Sequence, residues 1–258
     1  MGDHPRELRL AEILVESADT LTDDFDPEDY LRRLSDHSVE LLGAQGAGVM
    51  YTGGGGGVRL ITGSRRPAAV RALLAARHRG GPCLEGFGTG GPVPPVRIDR
   101  AEMASRWPAF AERAGEHGVT ATFAVPLRHR GPVLGVLDVF VSQARGTEPA
   151  ERELRLLRVL ADAAAVGLHN HRTHTRYRTL SAQLQGALDS RIRIEQAKGV
   201  LAERWNTGVD EAFEALRCHA RRERRLIDVV AAQVIEGTLD VEELRQVRPP
   251  LGRRAHSP

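Results

Sequence analysis

Apolar residues in the first half of the chain follow both helical and strand-like spacing. Spacings of three and four over 7–21, and again after Asp26-Pro27, predict two amphipathic helices, the second with proline in its first turn. Further helices are predicted over 67–79 and 101–117. Short β-type runs occupy 46–51, 58–62, 96–98, 120–127 and 133–142. Helices flanking a mostly antiparallel sheet predict an α+β domain.

The second half of the chain has helical spacing throughout. A helix with one apolar face is predicted from Glu151 to His171. Because no proline occurs between Pro149 and Thr207, a nearly continuous helical path is expected, loosened near Thr173. The sequence therefore predicts a long connecting helix between an N-terminal and a C-terminal domain.

A seven-residue repeat lies within this path. Leu180, Ala187, Ile194 and Leu201 recur at that spacing, which is typical of a two-chain coiled coil and predicts a homodimer. The alternative is an intramolecular packing of three helices that covers the same stripe.

The residues after this helix predict a small bundle. Residues 206–208 (Asn-Thr-Gly) break the helix, and Asp210 is the expected N-cap of a second helix. A third helix is predicted to begin near Leu226 and to end near Gly237. A weak helix over 239–247 is expected to lead into a disordered tail that ends at residue 258.

Composition limits the classes of function. The 258 residues allow one large or two modest domains, and a net charge of +2 requires basic groups to be concentrated locally to matter. Cys83 and Cys218 are far apart and form no CxxC pair, so neither a disulfide framework nor a thiolate zinc site is indicated. No apolar run reaches membrane-spanning length and the N-terminus lacks a signal-peptide core, so a cytoplasmic protein is predicted.

Lys198 is the only lysine in a chain otherwise supplied with arginine. It shares a helical face with Arg191, Glu195 and Ala202, at spacings of four, three and four. A compact ammonium differs from a guanidinium fork in size, hydration and donor geometry, so the site favours lysine specifically. The alternative is a solvated ion pair between Lys198 and Glu195.

This region resembles the ANTAR family of RNA-binding antitermination domains. The resemblance rests on Leu188-Asp189-Ser190-Arg191, Ile194-Glu195-Gln196-Ala197-Lys198-Gly199-Val200-Leu201, Glu211-Ala212-Phe213, Leu216-Arg217, Ala220-Arg221 and the run 226–234. It implies a three-helix RNA-binding bundle over 180–238 that holds paired stem-loop RNA and favours an antiterminated transcript.

The residues expected to contact RNA are of three kinds: those with a positive charge, those with a planar side chain, and those small enough to let RNA approach the helix backbone. Cations meet phosphates, and guanidinium planes accept unstacked bases. Small residues on the first helix allow either a partner helix or the nucleic acid to approach that face closely. The candidates are Arg191, Ala197, Lys198, Gly199, Arg217, Arg221 and Arg222. The alternative for the arginines is a solvated basic face.

The N-terminal part, over 8–172, resembles the GAF family of sensor domains. The residues that carry the likeness are Gly81-Pro82-Cys83-Leu84-Glu85, Thr89-Gly90, Pro92-Val93, Arg106-Trp107-Pro108-Ala109-Phe110, Ala124-Val125-Pro126-Leu127 and Gly135-Val136-Leu137-Asp138. The family implies sensing of a small molecule, a redox signal or a protein. Candidate pocket walls are Cys83, Trp107, Phe110 and Phe123, with ordinary core packing as the alternative. Residues 173–179 form the connection.

Other motifs point to no chemistry. The glycines at 53–57 predict a hairpin tip, because no Lys-Ser/Thr and helix follow them. Gly86, Gly88 and Gly91 fit GxGxxG but follow no strand. His169, His171 and His174 have poor spacing for a helical metal site. No cofactor, metal or catalytic set is predicted, and the protein is not expected to be an enzyme.

The sequence thus predicts a cytoplasmic, signal-responsive antitermination regulator that binds RNA tandem stem-loops. The resemblance allows for a small-molecule ligand of the sensor domain. The alternative is a sensor or dimerisation protein whose C-terminal bundle binds a protein partner or duplex DNA.

Overall fold

The computed structural model describes residues 4–22, 24–53, 57–76, 80–98, 100–142 and 151–246. The chain divides into two compact units, Met1–Thr175 and Arg176–Pro258. These are called the N-terminal and the C-terminal unit. The first contains an antiparallel sheet flanked by helices and the second contains helices, so the predicted α+β class is confirmed.

The helices and strands of the N-terminal unit largely follow the predicted order. They are α1 (His4–Ala18), α2 (Pro27–Leu42), β1 (Gly46–Thr52), β2 (Val58–Thr62), α3 (Pro67–Ala75), α4 (Pro82–Thr89), β3 (Val93–Arg97), α5 (Ala101–Arg106), α6 (Pro108–Glu116), β4 (Ala121–Arg128), β5 (Val133–Val141) and the first part of α7 (Glu151–Trp205). The strand order is β2-β1-β5-β4-β3, with every neighbouring pair antiparallel.

Local chemistry sets several of these boundaries. Asp26 caps α2 by accepting a hydrogen bond from the Glu28 amide at 2.9 Å, and Gly43 ends the helix at φ 57°. The single helix predicted over 101–117 is wrong: it is two helices, because Pro108 cannot continue α5 and starts α6. The helix α4 was not predicted, since its glycines disfavour helix.

The two glycine motifs have ordinary structural roles. Thr52 pairs with Val58 across β1 and β2, as expected for a hairpin, and the glycines at 54–56 lie outside the described residues. Gly86 and Gly88 lie within α4 and Gly91 follows it, so the GxGxxG match does not form a strand-to-helix phosphate loop.

The sheet separates two apolar cores. One face packs against α1, α2 and α7, with Leu31, Phe123 and Leu157 fully buried. The other packs against α3 to α6, with Leu73, Phe110 and Phe140 buried. Burial of such side chains stabilises the fold by about 1.5–3 kcal/mol each.

The C-terminal unit is helical. It contains α7 from Arg176 onward, α8 (Val209–Arg222), α9 (Ile227–Glu236) and α10 (Val241–Gln246). The predicted continuity is confirmed, since α7 runs unbroken through Thr173 to Trp205. Gly237 ends α9 at φ 70°, as predicted.

Two details of this unit differ from the prediction. Asp210 lies inside the first turn of α8, whose N-cap is Gly208, and its carboxylate there favours the helix dipole. The short α10, predicted as a weak helix outside the bundle, buries Leu244 in the bundle core. The predicted disordered tail over 248–258 lies outside the described residues.

Candidate RNA-binding surface

Lys198 is fixed in place rather than free. Its Nζ donates to Glu195 Oε2 at 2.8 Å and to Oε1 at 3.0 Å, so the predicted ion pair forms. The same Nζ lies 5.5 Å from the ring centroid of Phe213 on α8, within cation–π range. Only 14% of its side chain is exposed. The ammonium therefore links α7 to α8 at the edge of the bundle.

The residues beside Lys198 have opposite environments. Ala197 is fully buried in the bundle core with Leu201 and Leu216, so its prediction as an exposed RNA contact is wrong. One helical step of 100° separates core from surface at this point. Gly199 is exposed, and a Cβ built there would meet no atom within 4 Å. Close approach to the α7 backbone is thus available at Gly199.

Arg191 extends this face of α7. It is exposed and lies seven residues before Lys198, about 10 Å along the helix. The neighbouring Arg193 faces inward, where its Nη2 lies 3.2 Å from Asp228 Oδ2 and ties α7 to α9. Two arginines only two positions apart therefore differ: Arg193 pairs with another helix, whereas Arg191 is exposed to a ligand.

The arginines of α8 do not form one patch. Arg217 and Arg221 follow Phe213 at intervals of four and share its face, whereas Arg222 is turned away by a further 100°. Arg222 contacts Glu223 instead, at 2.9 Å. Arg217 pairs with Glu214 at 3.3 Å. Lys198 thus contacts α8 at Phe213, and Arg217 and Arg221 lie about one and two turns further along the same face of α8, whereas Arg222 lies on another face.

Together, Arg191, Lys198, Phe213, Arg217 and Arg221 form what we call the basic surface. It combines four cations with a half-buried aromatic ring, and two carboxylates, Glu195 and Glu214, hold two of the cations. Phosphates can replace these carboxylates as partners, and a ring or guanidinium plane can stack a base. Phe213 was not among the predicted site residues, although it precedes Arg217 by one helical turn.

A second exposed feature occupies the same helix. Tyr177, Leu180, Leu184 and Leu188 lie on one face of α7 and are between 48% and 67% exposed. We call these four residues the apolar stripe. The seven-residue repeat divides here: Leu180 and Ala187 are exposed, whereas Ile194 and Leu201 pack into the bundle core. Three-helix packing therefore covers only the second half of the repeat.

The predicted sensor pocket is not assembled as one site. Cys83, Trp107 and Phe110 are buried together beside α4 to α6. Phe123 belongs to the core on the opposite face of the sheet, so its assignment to the same pocket is wrong. Side chains alternate between faces along a strand, and the neighbouring Ala124 is the residue that faces the Trp107 side.

The Trp107 side of the sheet also buries a carboxyl group. Asp138 is 1% exposed, and its Oδ1 has no hydrogen-bond partner among the residues that the structure describes. Burial raises the pKa of Asp138 to about 7, and a hydrogen bond with Cys83 acts in the opposite direction. The carboxyl is therefore held largely protonated in mildly acidic solution.

The predicted histidine run is divided among separate contacts. The ring centroids of His169 and His129 lie 5.6 Å apart. The ring centroids of His171 and Phe25 lie 4.4 Å apart, and His171 Nδ1 lies 3.3 Å from the Thr20 carbonyl oxygen. Within the described part of the chain, no three side chains of histidine, cysteine, aspartate or glutamate are grouped as metal ligands. Likewise, none of the helices described is long and apolar enough to cross a membrane.

Comparison with known proteins agrees with this division of the molecule. A GAF domain family model matches residues 26–169, and an ANTAR domain model matches 182–235. A search of curated proteins found no match.

Solved structures with similarity to the chain include several GAF domains. The A. aeolicus nlh2 GAF domain in an inactive state is 18% identical, covering 64% of this chain and 98% of its own (TM-score 0.43). The GAF domain of an Acinetobacter phosphoenolpyruvate-protein phosphotransferase is 15% identical, covering 66% and 96% (TM-score 0.44). Free methionine-R-sulfoxide reductase from Neisseria meningitidis, solved with its substrate, is 20% identical, covering 64% and 90% (TM-score 0.44).

An antiparallel sheet with helices on both faces, followed through one helix by a small helical bundle, defines a two-domain α+β protein. More specifically, the chain belongs to the GAF family, and its GAF domain is followed by an ANTAR domain.

Proposed function

We propose that the chain is a signal-responsive transcription antitermination regulator that binds paired stem-loop RNA through its basic surface. The contact between Lys198 and Phe213 carries this proposal, because it joins the face of α7 that bears Arg191 and Lys198 to the face of α8 that bears Arg217 and Arg221. The ANTAR match to residues 182–235 covers all five members of that surface. RNA loops suit such a surface, since their unstacked bases and phosphates are both accessible.

Charge placement also supports this proposal. Residues 173–248 carry 13 lysines and arginines against 12 acidic residues, so the segment as a whole does not attract polyanions. The basic surface instead groups four of the cations on two helix faces that meet at Lys198 and Phe213. Binding should therefore fall steeply with salt, with a slope set by the few phosphates neutralised.

We further propose that the protein acts as a homodimer joined along the apolar stripe. Burial of Leu180, Leu184 and Leu188 against a second copy would remove from water side chains that are about half exposed. The stripe and Arg191 lie on the same face of α7, so two copies would present two basic surfaces side by side. Such a pair suits an RNA with two stem-loops.

The basic surface can be tested with a pool of RNAs that carry two adjacent hairpins with randomised loops. Lys198→Gln should weaken binding about tenfold, the effect of losing one charged hydrogen bond. The matched control is Arg204→Gln, which removes an exposed cation about 120° around the same helix from Lys198. Circular dichroism should show unchanged helicity in both.

Competition distinguishes the alternatives. Unlabelled hairpin RNA should displace the labelled pool, whereas duplex DNA of equal length should not. Equal displacement by duplex DNA would favour DNA binding, and unaltered affinity in Lys198→Gln would exclude the basic surface as the RNA site.

A further inference from the structure

A cavity lies at the edge of the sheet in the N-terminal unit, beside the buried Trp107 cluster, to which its lining residue Met103 belongs. It has a volume of about 250 Å³ and is lined by residues of β3, β4 and α5 and by Arg100, which precedes α5. The strand β3 is an edge strand that pairs only with β4. The cavity therefore opens where the sheet has no further neighbour.

Its lining is rich in guanidinium groups. Of the residues that the structure describes, Arg97 at the end of β3, Arg100 before α5 and Arg106 at the end of α5 line it together with the carboxylate of Glu102, and Arg106 also pairs with Glu85. The whole chain is almost neutral, so this local excess does not follow from composition. Three planar cations around one small volume match the oxygens of phosphate or carboxylate groups.

One of these arginines is already positioned. Arg106 Nη2 donates to Glu85 Oε1 at 2.6 Å, and its guanidinium carbon lies 5.2 Å from the Trp107 ring centroid. A guanidinium has five N–H donors, so this bond uses only one of them. A group held in this way loses little conformational entropy when it binds a ligand.

The rest of the lining is apolar and limits ligand size. Val96, Met103 and Ala121 contribute side chains without charge. The volume is below the range typical of sites for drug-sized ligands, about 300–1,000 Å³. A small molecule with an anionic group and a short carbon skeleton fits these properties.

We propose that this cavity binds a small organic anion through Arg97, Arg100 and Arg106, recognised by its phosphate or carboxylate oxygens. This inference rests on the proposed function, because it assigns a class of ligand to the sensor domain of the proposed regulator. It is measured without RNA, so its failure and a failure of RNA binding are distinguishable.

The test titrates the full-length protein by calorimetry at constant ionic strength with 3-phosphoglycerate, inorganic phosphate and citrate, and with neutral glycerol as a control. Saturable binding of one anion per chain is expected, without glycerol binding. The double variant Arg97→Gln/Arg100→Gln should weaken it at least tenfold. The matched control, Arg113→Gln, removes an exposed arginine of α6 that pairs with Glu116, and should bind as the wild type does.

Methyl NMR provides a readout that needs no variant. Of the three methionines, Met103 lines the cavity and Met50 lies in the core beneath the sheet, so an anion should shift the Met103 methyl signal and leave Met50 unchanged. Response to phosphates alone or to citrate alone would assign the ligand to that class. No binding by any anion, binding unchanged in the double variant, or an unmoved Met103 signal would overturn the proposal.

Discussion

The two units of this protein use their apolar residues differently. In the N-terminal unit, both faces of the sheet are covered, and large side chains such as Phe123 and Phe140 are almost fully buried. The C-terminal unit has one small, alanine-rich core and leaves the leucines of the apolar stripe exposed. A self-sufficient fold suits a sensor, whereas exposed apolar and basic surfaces suit a unit that acts by binding other molecules.

The polar groups show the same contrast. The N-terminal unit buries the carboxyl of Asp138 with one oxygen unpartnered among the described residues, where its protonation affects the fold. The C-terminal unit keeps its basic surface at the edge of its core, with Lys198 held between Glu195 and Phe213. Changes in the N-terminal unit should therefore alter stability, and changes on the exposed faces of the C-terminal unit should alter association.

The largest expected effect is on self-association. Leu184→Lys/Leu188→Lys should convert a dimer to a monomer, because each leucine side chain contributes about 1.5–3 kcal/mol when buried. Analytical ultracentrifugation measures the mass. Leu226→Lys, which changes a leucine that is 73% exposed and outside the stripe, is the control and should stay dimeric. A monomeric wild type, or a dimeric double variant, would show that the stripe does not join two copies.

Gly135→Ala should lower the free energy of unfolding by about 3 kcal/mol, near the upper end of the range for substitutions that overpack a core. A Cβ at Gly135 would lie 2.4 Å from the Met50 carbonyl oxygen, so β5 must move away from β1. Hydrogen exchange should accelerate in β1 and β5. Gly186→Ala, where a Cβ meets nothing within 4 Å, should leave these strands unchanged. Unchanged exchange in Gly135→Ala would mean that the close approach of these strands is wrong.

Asp138 should make the N-terminal unit less stable as pH rises. Its pKa is about 7 in the folded protein against 3.8 ordinarily, so between these values the folded state holds a proton that the unfolded chain has lost. Stability should fall by about 2–3 kcal/mol from pH 5 to pH 8 and level off above the folded pKa.

Scanning calorimetry at a series of pH values can measure the melting temperature of the N-terminal unit. This unit is identified as the one whose melting temperature Gly135→Ala lowers. Asp138→Asn should flatten its pH dependence, whereas Asp162→Asn, at an exposed position on α7, should not. The same slope in wild type and Asp138→Asn would assign the pH dependence to other groups.

The smallest expected effect distinguishes a change in the stability of α7 from a change in RNA affinity. Gly199→Ala and Gly186→Ala should each stabilise α7 by up to about 1 kcal/mol, because alanine favours helix. Only Gly199→Ala should weaken RNA binding, by a few-fold, since its methyl group lies where RNA is proposed to approach the backbone. Filter binding gives the affinities. Equal affinities in the two variants would place the RNA away from Gly199.

The sequence predicted which residues share a helix face better than it predicted what each face packs against. The repeat of Leu180, Ala187, Ile194 and Leu201 correctly indicated one helix, but spacing does not encode what covers each residue, and the two halves differ. The pair of Lys198 with Glu195 is local and was predictable. Its contact with Phe213 crosses a loop between helices, so no local spacing reports it.

The alternation of side chains along β4 could have been used to correct the predicted pocket. Within 120–127, Phe123 and Ala124 must face opposite sides, so only one could line a pocket with Trp107. Which side each faced depends on how the sheet packs, and that is a long-range property. Similarly, Ala197 and Gly199 are both small, and only the packed bundle distinguishes the buried residue from the exposed one.

Ultraviolet cross-linking of bound hairpin RNA, followed by mass spectrometry of tryptic peptides, tests the basic surface most directly. The account predicts cross-links in the peptides 194–198 and 205–217, which contain Lys198 and Phe213 and meet at one surface. Cross-links confined to α9 and α10, or to the N-terminal unit, would contradict it.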